Sequence, residues 1–437
     1  MGYNTLPRRK WRKPNNIPSY SEISNDTRPS FIEACCGNGD RLYARNGSLK
    51  LFLDITENRM LDYERATAEL FNVTWKPRAD QPSLERQFEV STKIIRLIRS
   101  STAQTTIDDI VTQLFDSSET PVLGTKTHEN TMRHFVFAVI GWSTLLYTPV
   151  FTTADADFKI AETQSNRSKE KQTIIPIEDS SQRPIGAMLR SYKLVPIACP
   201  QGAGLPQVLP NLLVTHLNVY SLSQLGGVTI LWVNDLSKHC EFDRYSRKKQ
   251  LKLFRLPSLC AEICLSEDNE TLIDRLFKSH ICRKNCQFNT DSVGKLYLAE
   301  VLLSYRLLFG QHSHSRKLFR EKELKSAKWN GALDPLLGVL CGNKDVDDST
   351  GIVELLHERN VYKVQDSFPH LGLRLAELAD YISGQEPNDF LEVWKDQRNP
   401  DRLLTLKAAI KIGLATVILG ILQVLLGIAQ LAISIYK

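Results

Sequence analysis

Apolar positions fall into three kinds of run along this chain. In the first third they recur at helical spacing. Residues 58–71 and 84–100 read as helices, the second with Leu84, Phe88, Ile94, Ile95 and Ile98 on one face and Val90 just off it. Thr106–Asp116 reads as a shorter one. Arg133–Tyr147 (RHFVFAVIGWSTLLY) is apolar on every side, but its 15 residues fall short of the ~20 that cross a bilayer. It also holds Gly141 and Trp142 and runs into Pro149, which predicts a buried core helix.

Residues 161–172 (AETQSNRSKEKQ) carry almost no large apolar side chain. The stretch 152–183 is therefore expected to be an exposed linker or long loop between a helical region, 30–151, and an α+β region, 184–395. Within the latter, Asn211–Leu225 is helix-like and stops at Gly226–Gly227. Val228–Val233 (VTILWV) is β-branched and apolar, the signature of a strand. His239–Asp243 and Gln250–Leu256 are expected to pair as a hairpin over the turn RYSRKK. From 270 onward the pattern is helical: Ser292–Gly310, Leu333–Cys341, Gly351–His357, Leu371–Ser383 and Asp389–Lys395. The expected fold class is α+β, a mostly helical body with a small sheet region at about 228–256, plus one C-terminal transmembrane helix.

That last element rests on the third kind of run. Ile412–Ile435 is 24 residues without a charge, mostly Ile, Leu, Val and Ala. It exceeds the ~20 residues needed to cross ~30 Å of hydrocarbon. Asn399–Pro400 reads as an N-cap and first helical residue, so a stalk helix over 396–411 is expected to lead into the span. Lys395, Arg398, Arg402, Lys407 and Lys411 precede the run and Lys437 follows it. By the positive-inside rule the body is expected in the cytosol. With no apolar leader at the N-terminus, the expected topology is tail-anchored. A run longer than the minimum leans toward the endoplasmic reticulum or plasma membrane.

The run has internal order. Gly413, Gly420, Gly427 and Ser434 recur every seven residues, and Thr416, Gln423 and Gln430 repeat at the same interval, offset by three. Together they form one small-and-polar stripe with coiled-coil spacing. Small residues let helices approach closely and Gln amides bond across an interface in lipid, so the span is expected to meet a second copy or a partner's helix.

Composition changes this picture little. There are 55 Lys+Arg against 49 Asp+Glu, net +6, too mild to name an acidic partner. The N-terminal cluster Arg8, Arg9, Lys10, Arg12 and Lys13 around Trp11 reads as a solvated arm over residues 1–29. Nine cysteines are too few for a disulfide scaffold of this length, and in the cytosol they stay reduced. Asn25, Asn46, Asn72, Asn166 and Asn269 fit the glycosylation pattern, which acts only in a secreted chain.

A search for chemistry finds little. GxSxG, HExxH, Walker A and GxGxxG motifs are absent from the sequence. Cys260, Cys264, Cys282, Cys286 and His280 lack the spacing of known zinc sites. Asp345, Asp347 and Asp348 suggest a calcium loop, but Thr350 stands where that loop needs glycine. His312 and His314 read as an exposed turn. Asp235, His239, Glu241 and Asp243 crowd one segment, the densest candidate for acid–base work. No cofactor and no catalytic residue is expected.

Several stretches in order resemble an uncharacterised family of filamentous-fungal single-span membrane proteins. They are HFVFAVIGWSTLLY (134–147), SLSQLGGVTILWVNDLSKHCEFD (221–243), LKLFRLPSLC (251–260), LLSYRLLFGQ (302–311), SRKLF (315–319) and WKDQRNPDRLLTL (394–406). The resemblance implies a body ahead of one span and carries no activity with it. The family commonly has aromatic residues where this chain has Leu404–Thr405–Leu406.

Two function classes follow. One is a membrane-tethered, non-enzymatic interaction or scaffold protein, whose partners are the lipid bilayer, another membrane helix and an unidentified cytosolic protein. The other is a membrane-bound enzyme of unrecognised chemistry. A winged-helix-like nucleic-acid binder, with 244–249 as the wing, is a distant third, and nucleic acid is not an expected partner.

Overall fold

The computed structural model describes residues 27–37, 49–74, 83–116, 126–150, 157–166, 169–177, 181–195, 210–268, 270–278, 293–346, 351–387, 392–393, 396, 398 and 400–435. The chain divides into two compact units, and neither is one stretch of sequence. The first is Met1–Asp40, Phe52–Leu189 and Ser266–His280; the second is Arg41–Leu51, Arg190–Leu265 and Ile281–Lys437. A composition change such as that at 152–183 marks a boundary only between contiguous domains, so the return of 266–280 to the first unit left no trace in the sequence pattern.

The first unit is helical around aromatic side chains. Its elements are α1 (Thr27–Cys36), α2 (Lys50–Thr74), α3 (Ser83–Ser100), α4 (Ile107–Asp116) and α5 (Lys126–Thr144), followed by strands β1 (Thr148–Val150), β2 (Phe158–Asn166) and β3 (Lys169–Ile177). Phe31 packs edge-on against Phe88 at 5.0 Å between centroids, and Trp142 meets Tyr63 in the same way at 5.0 Å. As its composition predicts, α5 is a core helix: Phe135–Ile140 and Trp142 are fully buried. The chain then folds back over it, with Tyr147 donating its hydroxyl to Phe137 O (2.7 Å). Gly141 permits that return, because a Cβ there would stand 2.8 Å from the Tyr147 ring.

Residues 158–177 depart from expectation. The stretch expected to be an exposed linker or long loop holds two antiparallel strands of nine residues each, paired from Phe158 opposite Ile177 to Asn166 opposite Lys169. Polarity reports that a segment lies in water; it does not report whether its backbone pairs. Buried Phe158, Ile160 and Ala161 root this hairpin in the core, and the ladder extends from there.

The second unit contains β4 (Asn211–Leu213), α6 (Val219–Gln224), β5 (Thr229–Val233), β6 (Glu241–Phe242), β7 (Gln250–Phe254), α7 (Pro257–Cys264), α8 (Val293–Tyr305), α9 (Pro335–Gly342), β8 (Val361–Lys363), α10 (Gly372–Ser383) and α11 (Pro400–Ile435). The expected hairpin is present, with Glu241 opposite Lys252. β5 joins it as a parallel strand, Thr229 beside Gln250. The expected helix at 211–225 is shorter: Asn211–Leu213 pairs with Val361–Lys363 as a strand, and the helix starts only where Asn218 accepts Ser221 N–H as its N-cap. The helix expected from 292 to 310 is present over Val293–Gly310, but its last turn, Arg306–Gly310, widens to π geometry. At that turn Arg306 is 1% exposed.

Candidate membrane anchor

The sequence explains α11 locally. Pro400 opens it at a position where a missing N–H costs nothing, and strong helix formers follow. Its 36 residues extend about 54 Å at 1.5 Å per residue. Residues Leu404–Ile435 have a mean hydropathy of 2.4 over their most apolar window, and none of that window is buried in the protein. Among the described residues it is the one helix long and apolar enough to cross a membrane. A core helix of that composition would be enclosed, as α5 is. Here Ile412, Leu419, Leu426 and Leu431 are each at least 60% exposed.

The predicted stripe lies along this helix. A Cβ built on Gly413, Gly420 or Gly427 meets no atom within 4 Å, so that face has room for another helix. Gln423, Gln430 and Ser434 are exposed. Thr416 is satisfied within the helix, its hydroxyl donating to Ile412 O (2.9 Å), the arrangement that hydrocarbon demands of a polar side chain.

The cations ahead of the run separate into two kinds. Lys407 and Lys411 are exposed on the helix. Arg402 is placed by its backbone on the first turns of α11, and Lys395 and Asn399 lie outside the described residues. Arg398 belongs to the body. Its guanidinium pairs with buried Asp396 (Nε to Oδ1, 2.9 Å) and donates to Ile382 O (2.6 Å) and Gln385 O (2.7 Å). Ile382 is in the last turn of α10 and Gln385 just beyond it, so Arg398 ties the segment ahead of α11 to the C-terminal end of that helix. The other end of α10 is equally fixed. Glu300, from α8, accepts the N–H groups of His370 (2.9 Å) and Leu371 (2.8 Å) and lies 2.5 Å from His370 Nδ1. Burial raises the Glu300 carboxyl above its usual range, against the pull of those donors. An unbroken chain of polar contacts thus runs from the buried α8 through α10 to the first residues of the anchor.

The remaining sequence candidates resolve into structural roles. His239 is fully buried and accepts Phe254 N–H at Nδ1 (3.1 Å). That acceptance places its proton on Nε2, 2.7 Å from Ser304 Oγ, whose own hydroxyl donates a hydrogen bond to Val301 O. Burial, with the Arg374 guanidinium nearby, holds the His239 pKa down at about 3, so the ring is neutral and committed. Glu241 pairs with Lys238 and Lys252, and Asp243 caps the following turn. His312 caps the helix Ser313–Leu318 by accepting Ser315 N–H. Cys260 is buried in α7, and Cys264 Sγ contacts Lys295 O. Cys282, Cys286, His280, Asp347 and Asp348 lie outside the described residues, among which no cluster of metal-ligating side chains occurs.

Sequence reasoning missed Asp334. It is buried, caps α9 through Leu336 and Leu337 N–H, and also accepts the backbone N–H and hydroxyl of Ser258. Burial pushes its carboxyl up to about 7. Asp-Pro ahead of an apolar run was the available signal, an N-cap followed by proline.

Comparison with protein-family models, curated proteins and solved structures finds no match.

Proposed function

We propose that this chain is an integral membrane protein that holds a folded, non-enzymatic body at a bilayer surface to bind other proteins, its span pairing with a second copy or a partner's helix. The observation that carries the reading is the apolar α11, whose most apolar window has no buried residue, tied to the body through Arg398. Three titratable groups displaced by burial, His239, Glu300 and Asp334, support a non-enzymatic body, because each is engaged in holding a strand or a helix end. We place the chain with the filamentous-fungal single-span proteins it resembles.

We place the body in the cytosol. Arg402, Lys407 and Lys411 lie on its side of the apolar run, which favours retention there. The buried cysteines Cys35, Cys36, Cys240, Cys260 and Cys341 are all free thiols, as a reducing compartment keeps them.

Microsomes carrying the full chain test both parts. The protein is expected to resist carbonate extraction, its body to be digested by added protease, and its mass to be unchanged by endoglycosidase despite five native sequons. Release by carbonate would overturn the anchor. Protease protection with glycosylated sequons would reverse the orientation.

A further inference from the structure

The turn between β6 and β7 carries charge that its role as a connection does not need. Its six residues, Arg244–Lys249, include four cations. Asp243 shapes it, its Oδ1 accepting the N–H groups of Tyr245 (3.0 Å) and Ser246 (3.1 Å). This local cap turns Tyr245 out of the body, where it is 89% exposed, more than any large apolar side chain of α11. Arg247 and Lys248 are exposed beside it. Arg244 pairs with Asp380 (3.0 Å), and Lys249 Nζ turns back onto Arg244 O. The outward face thus carries an exposed aromatic ring beside two exposed cations.

The position of this face gives it a partner. Arg244 holds Asp380, and Phe242 packs on Tyr381 at 4.9 Å. Arg398, just ahead of the anchor, holds Ile382 O and Gln385 O. Turn and anchor thus grip the same end of α10, within residues 380–385, about 8 Å of helical rise. From Pro400, where α11 begins, to the start of the charge-free run at Ile412 the helix advances about 18 Å. The headgroup layer takes up roughly 5–7 Å of that. An extended arginine and a Debye length of about 8 Å close most of the remainder.

We propose that the Arg244–Lys249 turn is a second membrane contact, docking on anionic phospholipid headgroups of the bilayer that α11 spans, with Arg247 and Lys248 on phosphates and Tyr245 in the interfacial layer. Tyrosine is enriched at that depth, and clustered Lys and Arg near a span bind acidic lipid. The proposal rests on α11 being a membrane span. Nucleic acid is the less favoured occupant of such a turn. β5 enters the sheet parallel to β7, and α6, with six residues, is too short to present a groove-reading face.

The test uses the full chain in nanodiscs of phosphatidylcholine alone or with a third of the lipid as phosphatidylserine. Trypsin cleavage after Arg247 and Lys248 is followed by mass spectrometry. With phosphatidylserine the cleavage is expected to slow about tenfold or more, since two cations contribute to the contact. Tyr245→Ser with Arg247→Gln, read at the Lys248 site that both substitutions leave in place, is expected to restore the faster rate. Equal rates in the two lipids, in chains that have entered the discs, would overturn the contact and leave the anchor standing. Failure to enter the discs would overturn the anchor and this contact with it. Protection by a duplex oligonucleotide in phosphatidylcholine discs, without protection by phosphatidylserine, would reassign the turn to nucleic acid.

Discussion

Arg398 and Asp396 form an ion pair whose side chains are 10% and 6% exposed, two residues before the helix that leaves the body. The guanidinium has further donors on the last carbonyls of α10. A cation so close to a membrane helix is ordinarily counted among those facing lipid. This one faces inward, and the anchor's attachment to the body depends on it.

Removing one partner of this pair should therefore be costly. Arg398→Ala breaks the ion pair with buried Asp396 and removes a donor from Ile382 O and Gln385 O. The expected loss is about 3–5 kcal/mol, read as a lower thermal midpoint of the detergent-solubilised protein. Lys411→Ala, exposed on α11, should leave the midpoint unchanged.

The body should survive without its anchor. Deleting residues 400–437 removes only α11 and the two residues beyond it and keeps Arg398. The truncated chain is expected to be soluble and to unfold cooperatively by circular dichroism. Aggregation despite good expression would show that α11 packs on the body.

Stability should depend on pH through His239. Its pKa is lowered from 6.5 to about 3 in the folded state, so the unfolded chain binds the proton more readily. The His239 contribution is complete above about pH 6.5 and is lost as pH falls toward 3. Asp334 acts in the opposite sense. Its pKa is raised from 3.8 to about 7, so its contribution is present below about pH 4 and is lost as pH rises through 7. His239→Phe leaves Phe254 N–H and Ser304 Oγ short of a partner, at about 1–3 kcal/mol for each buried group. Denaturant melts from pH 4 to 7 are expected to show lower overall stability in this variant and a reduced loss on the acid side.

Gly310 should not tolerate a side chain. It closes the π turn beside Leu340 O, where a Cβ would stand at 2.5 Å, and it would also press on the Arg306 guanidinium. That guanidinium donates to Leu340 O, Asn343 O and Lys344 O at the end of α9 and pairs with Glu358. Gly310→Ala is expected to cost about 1–3 kcal/mol. Gly331→Ala, whose added Cβ meets nothing within 4 Å but whose φ is +85°, is the comparison in which backbone strain acts alone.

The stripe on α11 is testable in a bilayer dimerisation reporter carrying residues 407–437. Gly420→Ile adds bulk at the point of closest approach and should abolish association. Gln423→Leu with Gln430→Leu should weaken it by about 1 kcal/mol or less per lost bond. Leu422→Ile lies off the stripe and should do little. Equal signals from all of these would mean that the stripe does not mediate self-association.

Length and hydropathy alone specified a C-terminal helix long and apolar enough to cross a membrane. Hydrocarbon selects for an unbroken apolar run, and nothing elsewhere in the fold is needed to recognise 24 such residues. The amphipathic helices of the first unit and the β6–β7 hairpin were legible for a related reason, since periodicity and turn residues are local. Three things were decided only by tertiary structure. The hairpin at 158–177 pairs through its backbone, which composition does not encode. The first unit recovers 266–280 from far along the chain, so its boundary is not a point in the sequence. Arg398 read as one of the cations preceding the span, and nothing in the sequence singled out Arg99 or Arg306, yet each donates to carbonyls at the end of a helix, those of Glu33 and Ala34 for Arg99. A guanidinium becomes a cap only when folding brings carbonyls from elsewhere in the chain within hydrogen-bond distance, and no spacing along the sequence records that approach.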